Sequence, residues 1–538
     1  MENWKFAEIK GGTVNGTVAA WTYSGGHNSD LTISGGTVNG NVLSVNYGSA
    51  EGKVAKVSIT GGTVNGALDT RSYDPSTNEL TSIDDATKAT IAVTGGTFSS
   101  DPTKYVVEDS AINKNDDGTF GVAKAYLAKV GDTSYYTMDE AFKAQTASGE
   151  AIVMLRDYTT GSTFNSGTIA RTVDLNGHTW TCTGTDANSA AFEINNPNAT
   201  LTVKNGKVVS SQLVGLIPSA MGGTIKYDNS SLEFDGVEMS TTATSGIETN
   251  GNNTNDTVKL VNSELNVPNG FGIYFPSSGT LTIDNSVINA KTMGVQVCAG
   301  SLNISGADTA ITVSGDGIDK TINDGAIEDG AAISIVNRAG YKGLSNIEVK
   351  GGTFTAKGDN AAVKAYDWAN QTEGAFDNSE NVVAISGGTF SSAVDKSLCA
   401  DGYIPTKNTD GTYSVKEGKY VAEIGSQGYE SLTDAVAAAQ DGQTVRLLAD
   451  ATEDVVISKS ITLDLGGKTL TNTNAGKATI SVTGGTVTVQ NGSVIGGTSY
   501  YNIEVTKNSN ANLTLTDVTA TAGNTGSSMI DNYGTLTI

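Results

Sequence analysis

Three cysteines, two histidines, seven prolines and five arginines are all that 538 residues hold of four residue types on which function is often built. The cysteines, Cys182, Cys298 and Cys399, are odd in number and far apart, so disulfides are not the scaffold and no metal-ligand spacing is present. His27 and His178 are too few and too distant for a histidine-based metal site or a relay. The five arginines (Arg71, Arg156, Arg171, Arg338, Arg446) sit in a chain of 33 basic and 57 acidic residues with a formal charge of −24. That balance excludes nucleic acid and an anionic membrane as natural partners. A polyuronate would meet the same repulsion unless a basic cleft or bound calcium offset it. No apolar run is long enough to cross a bilayer, and no charged-then-apolar leader follows Met1. The chain therefore reads as a fragment whose signal peptide and anchor lie outside it. Low proline with 38% hydrophobic residues excludes a disordered chain.

What is abundant is glycine, 65 residues of it, and much of it recurs in one phrase. A β-branched residue, a spacer, Gly-Gly-Thr and an apolar residue occur seven times: Ile9 to Val14, Ile33 to Val38, Ile59 to Val64, Val93 to Phe98, Val349 to Phe354, Ile385 to Phe390 and Val482 to Val487. The first three Gly-Gly pairs start at 11, 35 and 61, steps of 24 and 26, which suit one coil of a solenoid. A second wording fills the middle, with phrases beginning at Leu201, Leu232, Val258, Leu281 and Leu302. Their first and third residues are apolar and the second is polar, the period of two that sends alternate side chains to opposite faces of a strand. The fifth position is Asn205, Gly236, Asn262, Asn285 or Gly306, residues that tolerate a left-handed backbone, so it predicts a recurrent corner. Asparagines there can hydrogen-bond to the neighbouring coil.

Short strands, Asn/Gly corners and coils of about two dozen residues resemble the right-handed parallel β-helix of the pectate-lyase-like superfamily. Leucine-rich and helical repeats need helix-period stripes that these phrases lack, and a propeller needs a longer period. The expected fold is all-β, a solenoid of tandem modules with short α-helical caps. The caps come from a third repeat: Tyr126 to Asp157 matches Tyr420 to Asp450, and Thr172 to Trp180 matches Thr462 to Leu470. Thr137 with Glu140, and Ser431 with Asp434, start helices with capping-box wording, and Gly149 and Gly442 end the two segments. A terminal cap covers the unpaired strands and core of a solenoid end. The boundaries that follow are the end of one module at 1–122, a complete module at 123–417 (cap 123–157, coils 158–417), and a truncated one at 418–538 (cap 418–450, coils 451–538). Residues 366–375, with Trp368, are expected to loop out of a coil.

The residues that would carry chemistry are sparse. On outward positions of the middle module, Lys204, Glu233, Asp235, Lys259 and Asp284 form a charged face that reads first as a solvated strand surface. A pectate-lyase-like enzyme would place its site there, with clustered aspartates for calcium and a basic residue to take the sugar proton. The adjacent pairs Asp84-Asp85 and Asp116-Asp117, and Thr-Asp-Gly at 409–411, sit in turn-like wording with no histidine partner. No metal site and no cofactor is expected, with calcium implied only by the enzyme alternative. In the first array, Trp21, Tyr23, Tyr47 and Tyr73 lie between Gly-Gly-Thr phrases and could form a column able to stack on sugars. Asn205, Asn262 and Asn285 are structural corners.

The chain is also similar to repeat regions of large secreted or surface proteins of Gram-positive gut bacteria, which implies adhesion or glycan contact. The expectation is a surface-exposed, adhesin-like structural or binding protein, extracellular or at the cell surface, whose partners are glycans or host and cell-surface proteins. The alternatives are a carbohydrate-active enzyme, a polysaccharide lyase or glycoside hydrolase acting on the side of the middle β-helix, and a phage tail-spike-like protein.

Overall fold

Alternating apolar and polar residues become strands here because each strand finds an in-register copy one coil away. The computed structural model describes residues 1–538 except 24–25, 49–50, 108, 147–148, 319–324, 426, 473, 498–499, 508 and 524–527. Just over half of the chain, 51%, is strand and 4% is helix. Two compact units are present, one made of Met1–Glu248 with Thr257–Leu265, the other of Thr249–Asp256 with Asn266–Ile538.

In the first unit each early coil contributes a strand to each of three faces. Phe6–Ile9, Ser29–Ile33, Ala55–Val64 and Ala89–Phe98 pair in parallel, with Leu31 opposite Val57 and Val57 opposite Ile91. Glu2–Asn3, Val18–Trp21, Val42–Tyr47 and Leu68–Asp74 pair in parallel on another face. Thr13–Val14 and Thr37–Val38 begin the third. This is a parallel β-helix. The apolar residue of the Gly-Gly-Thr phrase points inward in six of the seven copies, Val38, Val64, Phe98, Phe354, Phe390 and Val487 being buried, while Val14 is partly buried against the same core. Each such side chain contributes about 1.5–3 kcal/mol by leaving water.

The glycines two residues after the first three phrases, Gly16, Gly40 and Gly66, let the coils approach closely. A Cβ on Gly40 would lie 2.3 Å from the backbone carbon of Gly16, and one on Gly66 equally close to that of Gly40. The neighbouring asparagines form a ladder, Asn39 Nδ2 donating to Asn15 Oδ1 at 2.7 Å and Asn65 Nδ2 to Asn39 Oδ1 at 2.8 Å. The predicted corners are also present. Asn205, Asn262 and Asn285 have φ of 57°, 47° and 44°, and Gly236 and Gly306 share the left-handed region. Asn205 Nδ2 donates to Asp174 Oδ1 at 3.2 Å, a bond to the preceding coil.

The array ends in antiparallel pairing. Ser110–Lys114 and Phe120–Lys124 form a hairpin whose second strand runs antiparallel to Ala89–Phe98. A second hairpin, Ala128–Val130 with Thr133–Tyr135, then leads into helix α1, Met138–Ala144. Thr137 Oγ1 accepts from the Glu140 amide at 3.2 Å while Glu140 Oε2 accepts from the Thr137 amide at 3.1 Å, the expected reciprocal cap. Coils then resume through Ala151–Met154, Ala170–Asp174, Thr200–Ser210 and Ser231–Thr241, with Val173, Val203 and Phe234 stacked in register.

The second unit repeats the plan. Leu281, Leu302, Ile347 and Val383 stack in register across four parallel strands and are buried. Tyr403–Lys407 and Tyr413–Glu417 close the array antiparallel to Thr389–Phe390, and a hairpin with helix α2, Leu432–Ala438, follows. Both helices are seven residues long and stop at Gln145 and Ala439, before the expected glycines. In the first, Arg171 Nη1 donates to the side chain of the C-cap residue Gln145 at 2.8 Å, a side-chain contact that Ala439 at the end of α2 cannot make. Residues 366–375 are not a loop. Val363–Ala369 and Thr372–Ala375 form an antiparallel hairpin in which Tyr366 and Trp368 are buried, because the aromatic rings join the cluster around Phe271 and Tyr274. Among the described residues no helix is long and apolar enough to cross a membrane.

Substituting Gly40→Ala should cost about 3 kcal/mol or more, because the added carbon meets backbone on the next coil. Gly12→Ala, with φ 78° and open space, should cost only about 1–2 kcal/mol of conformational strain. Denaturant unfolding of the full chain reads the difference, and equal losses would contradict the packing role.

Candidate functional site

Trp21, Tyr23, Tyr47 and Tyr73 are brought together by the pairing of Val18–Trp21, Val42–Tyr47 and Leu68–Asp74. Tyr47 lies directly opposite Tyr73, and their rings are 5.4 Å apart; Trp21 meets Tyr73 at 5.4 Å. A fifth ring, Trp4, completes the patch, stacked on Trp21 at 5.8 Å and edge-on to Tyr23 at 5.3 Å. Trp4 escaped the sequence reading because it stands before the first Gly-Gly-Thr phrase. Val45 is paired between Trp21 and Arg71 and is fully buried, which accounts for part of the rings' packing. The accessible rings are Trp4, 39% exposed, and Tyr23, 48% exposed; the others are half-buried. Polar groups edge the patch: Asp69 pairs with Arg71 at 2.5 Å, and the Tyr73 hydroxyl donates to Asn78 Oδ1 at 2.7 Å. Flat apolar rings beside hydrogen-bonding groups suit the C–H face and hydroxyls of a sugar.

The charged face has a different character. Lys204 sits opposite Asp235 and Glu233 opposite Lys259 on adjacent parallel strands, so opposite signs alternate across the coils. Lys204 Nζ also approaches Asp174 at 3.6 Å. Asp284 lies in the second unit and accepts from Ser305 Oγ at 2.7 Å. Alternating signs do not make a calcium cradle, and among the described residues no three His, Cys, Asp or Glu are grouped to hold a metal ion. The other acidic wording forms turns. Asp85, Asp117 and Asp410 each accept from a threonine two residues on, and these bonds hold the three carboxyls below the usual range.

Three glutamates behave otherwise, Glu193, Glu248 and Glu328, the last of which accepts from Thr292 Oγ1. Burial raises all three carboxyls; Glu193 and Glu248 stand on strands Ala190–Glu193 and Ser245–Thr249 of one sheet, separated by Leu213–Ile217. Two strand spacings put their backbones about 9–10 Å apart or more.

The second unit holds a polar cluster that no local motif announces. Asp329 Oδ2 accepts from Ser334 Oγ at 2.6 Å and from the Tyr366 hydroxyl at 3.0 Å. Arg338, 4% exposed, donates to the Tyr274 hydroxyl at 3.2 Å and to the Gly325 carbonyl, and its guanidinium faces the Tyr341 ring. Gln296 exchanges two bonds of 2.8 Å with the backbone of Ile327. Together these bonds hold residues 325–332 against the strands Met293–Val297 and Ile333–Arg338. The bonds to Tyr274, Gln296 and Tyr366 span 64, 31 and 37 residues, which is why sequence spacing did not reveal the cluster. Burial raises the Tyr274 and Tyr366 hydroxyls and pushes the Cys298 thiol from 9.0 up to about 12. Cys182 and Cys399 are also free and buried.

No family model matches the chain, and no curated protein matches it. Among solved structures, a point mutant of the PL6-family alginate lyase AlyGC is 11% identical over 97% of this chain and 73% of its own, with a TM-score of 0.23. The parent AlyGC is 10% identical over 95% of this chain and 72% of its own, with a TM-score of 0.17. At those scores the likeness carries no argument, and the β-helix rests on the strand pairing described above.

Because the folded Cys298 thiol is held neutral, its contribution to stability is complete below about pH 9 and is lost as pH rises toward about 12. Unfolding midpoints of the full chain should fall across that window, and Cys298→Ala should flatten part of the fall. Native Cys298 should resist alkylation at pH 8 until the chain is unfolded.

Proposed function

We propose that this chain is a surface-exposed, adhesin-like binding protein that contacts glycans through the aromatic patch of Trp4, Trp21, Tyr23, Tyr47 and Tyr73. The observation that carries the reading is the patch itself: five rings in mutual contact, two of them well exposed, on a face built by parallel coils. A folded chain of charge −24 favours neutral glycans over polyuronates. In this reading the modules run 1–122, 123–417 and 418–538 and the protein works outside the cell, the β-helix displaying the patch and the chemistry being recognition.

A second reading is a carbohydrate-active enzyme. Its support has moved from the charged face to Glu193 and Glu248, two half-buried carboxyls with raised protonation midpoints. Inverting hydrolysis uses two carboxyls of this kind, one that protonates the leaving oxygen and one that activates water.

On a glycan array the full chain should bind neutral oligosaccharides, and Trp4→Ala or Trp21→Ala should weaken binding by about tenfold, the loss of one stacking contact of ~1 kcal/mol or somewhat more. Binding that ignores both substitutions would remove the patch from the proposal. New reducing ends from a polysaccharide panel, lost in Glu193→Gln, would favour the enzyme instead.

A further inference from the structure

The two helix caps are built from matching sequence, which makes each a control for the other. Asp157 accepts from the Thr179 amide at 2.9 Å, and its counterpart Asp450 accepts from the Thr469 amide at 2.8 Å. From that anchor, Tyr158-Thr159-Thr160 corresponds to Ala451-Thr452-Glu453. In the second cap Glu453 reaches across to α2, its carboxylate accepting from the Leu432 and Thr433 amides at 2.9 Å and from Thr433 Oγ1 at 2.7 Å. The gap between helix and strand is bridged. Behind it lie Val436, Ala451 and Leu470, all buried, so aliphatic side chains suffice to close this core.

The first cap departs at each of these positions. Thr160 is too short to reach α1, and a cleft of about 530 Å³ opens between the helix and the strands Tyr158–Thr160 and Phe164–Asn165. In place of Val436, Ala451 and Leu470 stand Phe142, Tyr158 and Trp180, which with Phe164 form a continuous set of edge-to-face contacts, 4.8 Å for Tyr158 and Trp180 and 5.5 Å for Phe142 and Phe164. The fold does not require these rings, since the other cap closes without them.

We propose that this cleft is a binding site for a neutral sugar unit, distinct from the aromatic patch of the first array and independent of it. Tyr158 and Phe142, both half-buried, present the accessible aromatic surface, Trp180 and Phe164 are buried in the wall, and Asp139, Ser162, Asn165 and Asn195 add polar groups to the lining. No lysine or arginine lines it, and its one carboxylate, Asp139, is paired with Lys143 at 2.6 Å, so the lining offers an anionic sugar or phosphate no free cation. Arg171 lies behind the Phe142 ring, 3.7 Å from its centre, and is occupied by the carbonyls of Ser166 and Phe142 and by Gln145. Asn195 Oδ1 already accepts from Ser166 Oγ, the Gly167 amide and Asn196, which leaves its amide nitrogen to donate. A sugar ring presents an apolar face to such walls and hydroxyls to such a rim, and the volume is that of small-ligand pockets, about 300–1,000 Å³.

The test uses the full chain and isothermal titration with neutral gluco-, manno-, galacto- and N-acetylglucosamine oligosaccharides, alongside an oligo-uronate. At least one neutral oligosaccharide should bind. Thr160→Glu, which installs the bridge found in the second cap, should weaken that binding by about tenfold or more while leaving the melting temperature unchanged or higher, and Tyr158→Ala should weaken it similarly. Trp21→Ala should leave intact the binding component that Thr160→Glu removes, whatever it does to binding at the patch, which separates this site from the patch. Binding undiminished in both Thr160→Glu and Tyr158→Ala, preference for the oligo-uronate, or no neutral ligand at all would overturn the proposal.

Discussion

In-register parallel pairing is the constraint from which the rest follows. Because Leu31, Val57 and Ile91, or Leu281, Leu302 and Ile347, occupy the same position on successive coils, each residue type is repeated along a line. An apolar line becomes core and an asparagine line becomes a hydrogen-bonded ladder. Aromatic residues at matched positions become a patch of touching rings. The same rule explains the glycines. Coils 24 and 26 residues apart approach so closely at Gly16, Gly40 and Gly66 that no side chain fits between them.

A stacked array leaves strands unpaired at its ends, and both arrays that end in a GGTFSS phrase are finished the same way. A hairpin turns the pairing antiparallel, a second hairpin follows, and a short capped helix covers the next core. Local wording is enough for the helix starts at Thr137 and Ser431, where side chain and backbone are three residues apart. The hairpins at Ser110–Lys114 and Tyr403–Lys407 were visible only as a repeated stretch, since their antiparallel direction depends on the strand they cover.

The sites proposed above sit at departures from the repeat. The charged face of Lys204, Glu233, Asp235 and Lys259 alternates in sign and balances itself, as a solvated sheet surface does. The positions that stand out are those where one copy does something its counterpart does not need: rings where aliphatics suffice, or Thr160 where Glu453 bridges. Conversely, the buried bonds of Asp329, Arg338 and Gln296 are explained by the backbone they hold in place.

The sequence by itself determined the solenoid, the inward and outward residues of each coil, the Asn and Gly corners and the two helix caps. All of these depend on periodicity and short-range chemistry within a few residues. It also named four of the five rings in the first array, of which Tyr47 and Tyr73 occupy opposite positions on successive coils and must meet. Tertiary structure alone decided that Trp4 joins them and that residues 366–375 pair as a hairpin with Trp368 buried. It also decided that Arg171 donates to Gln145 at the end of α1, that the Tyr366 hydroxyl donates to Asp329, and that a cleft opens beside Tyr158. Each of those depends on which side chains fill the space between coils, and that depends on volumes and reach across tens of residues, which no spacing in the chain records.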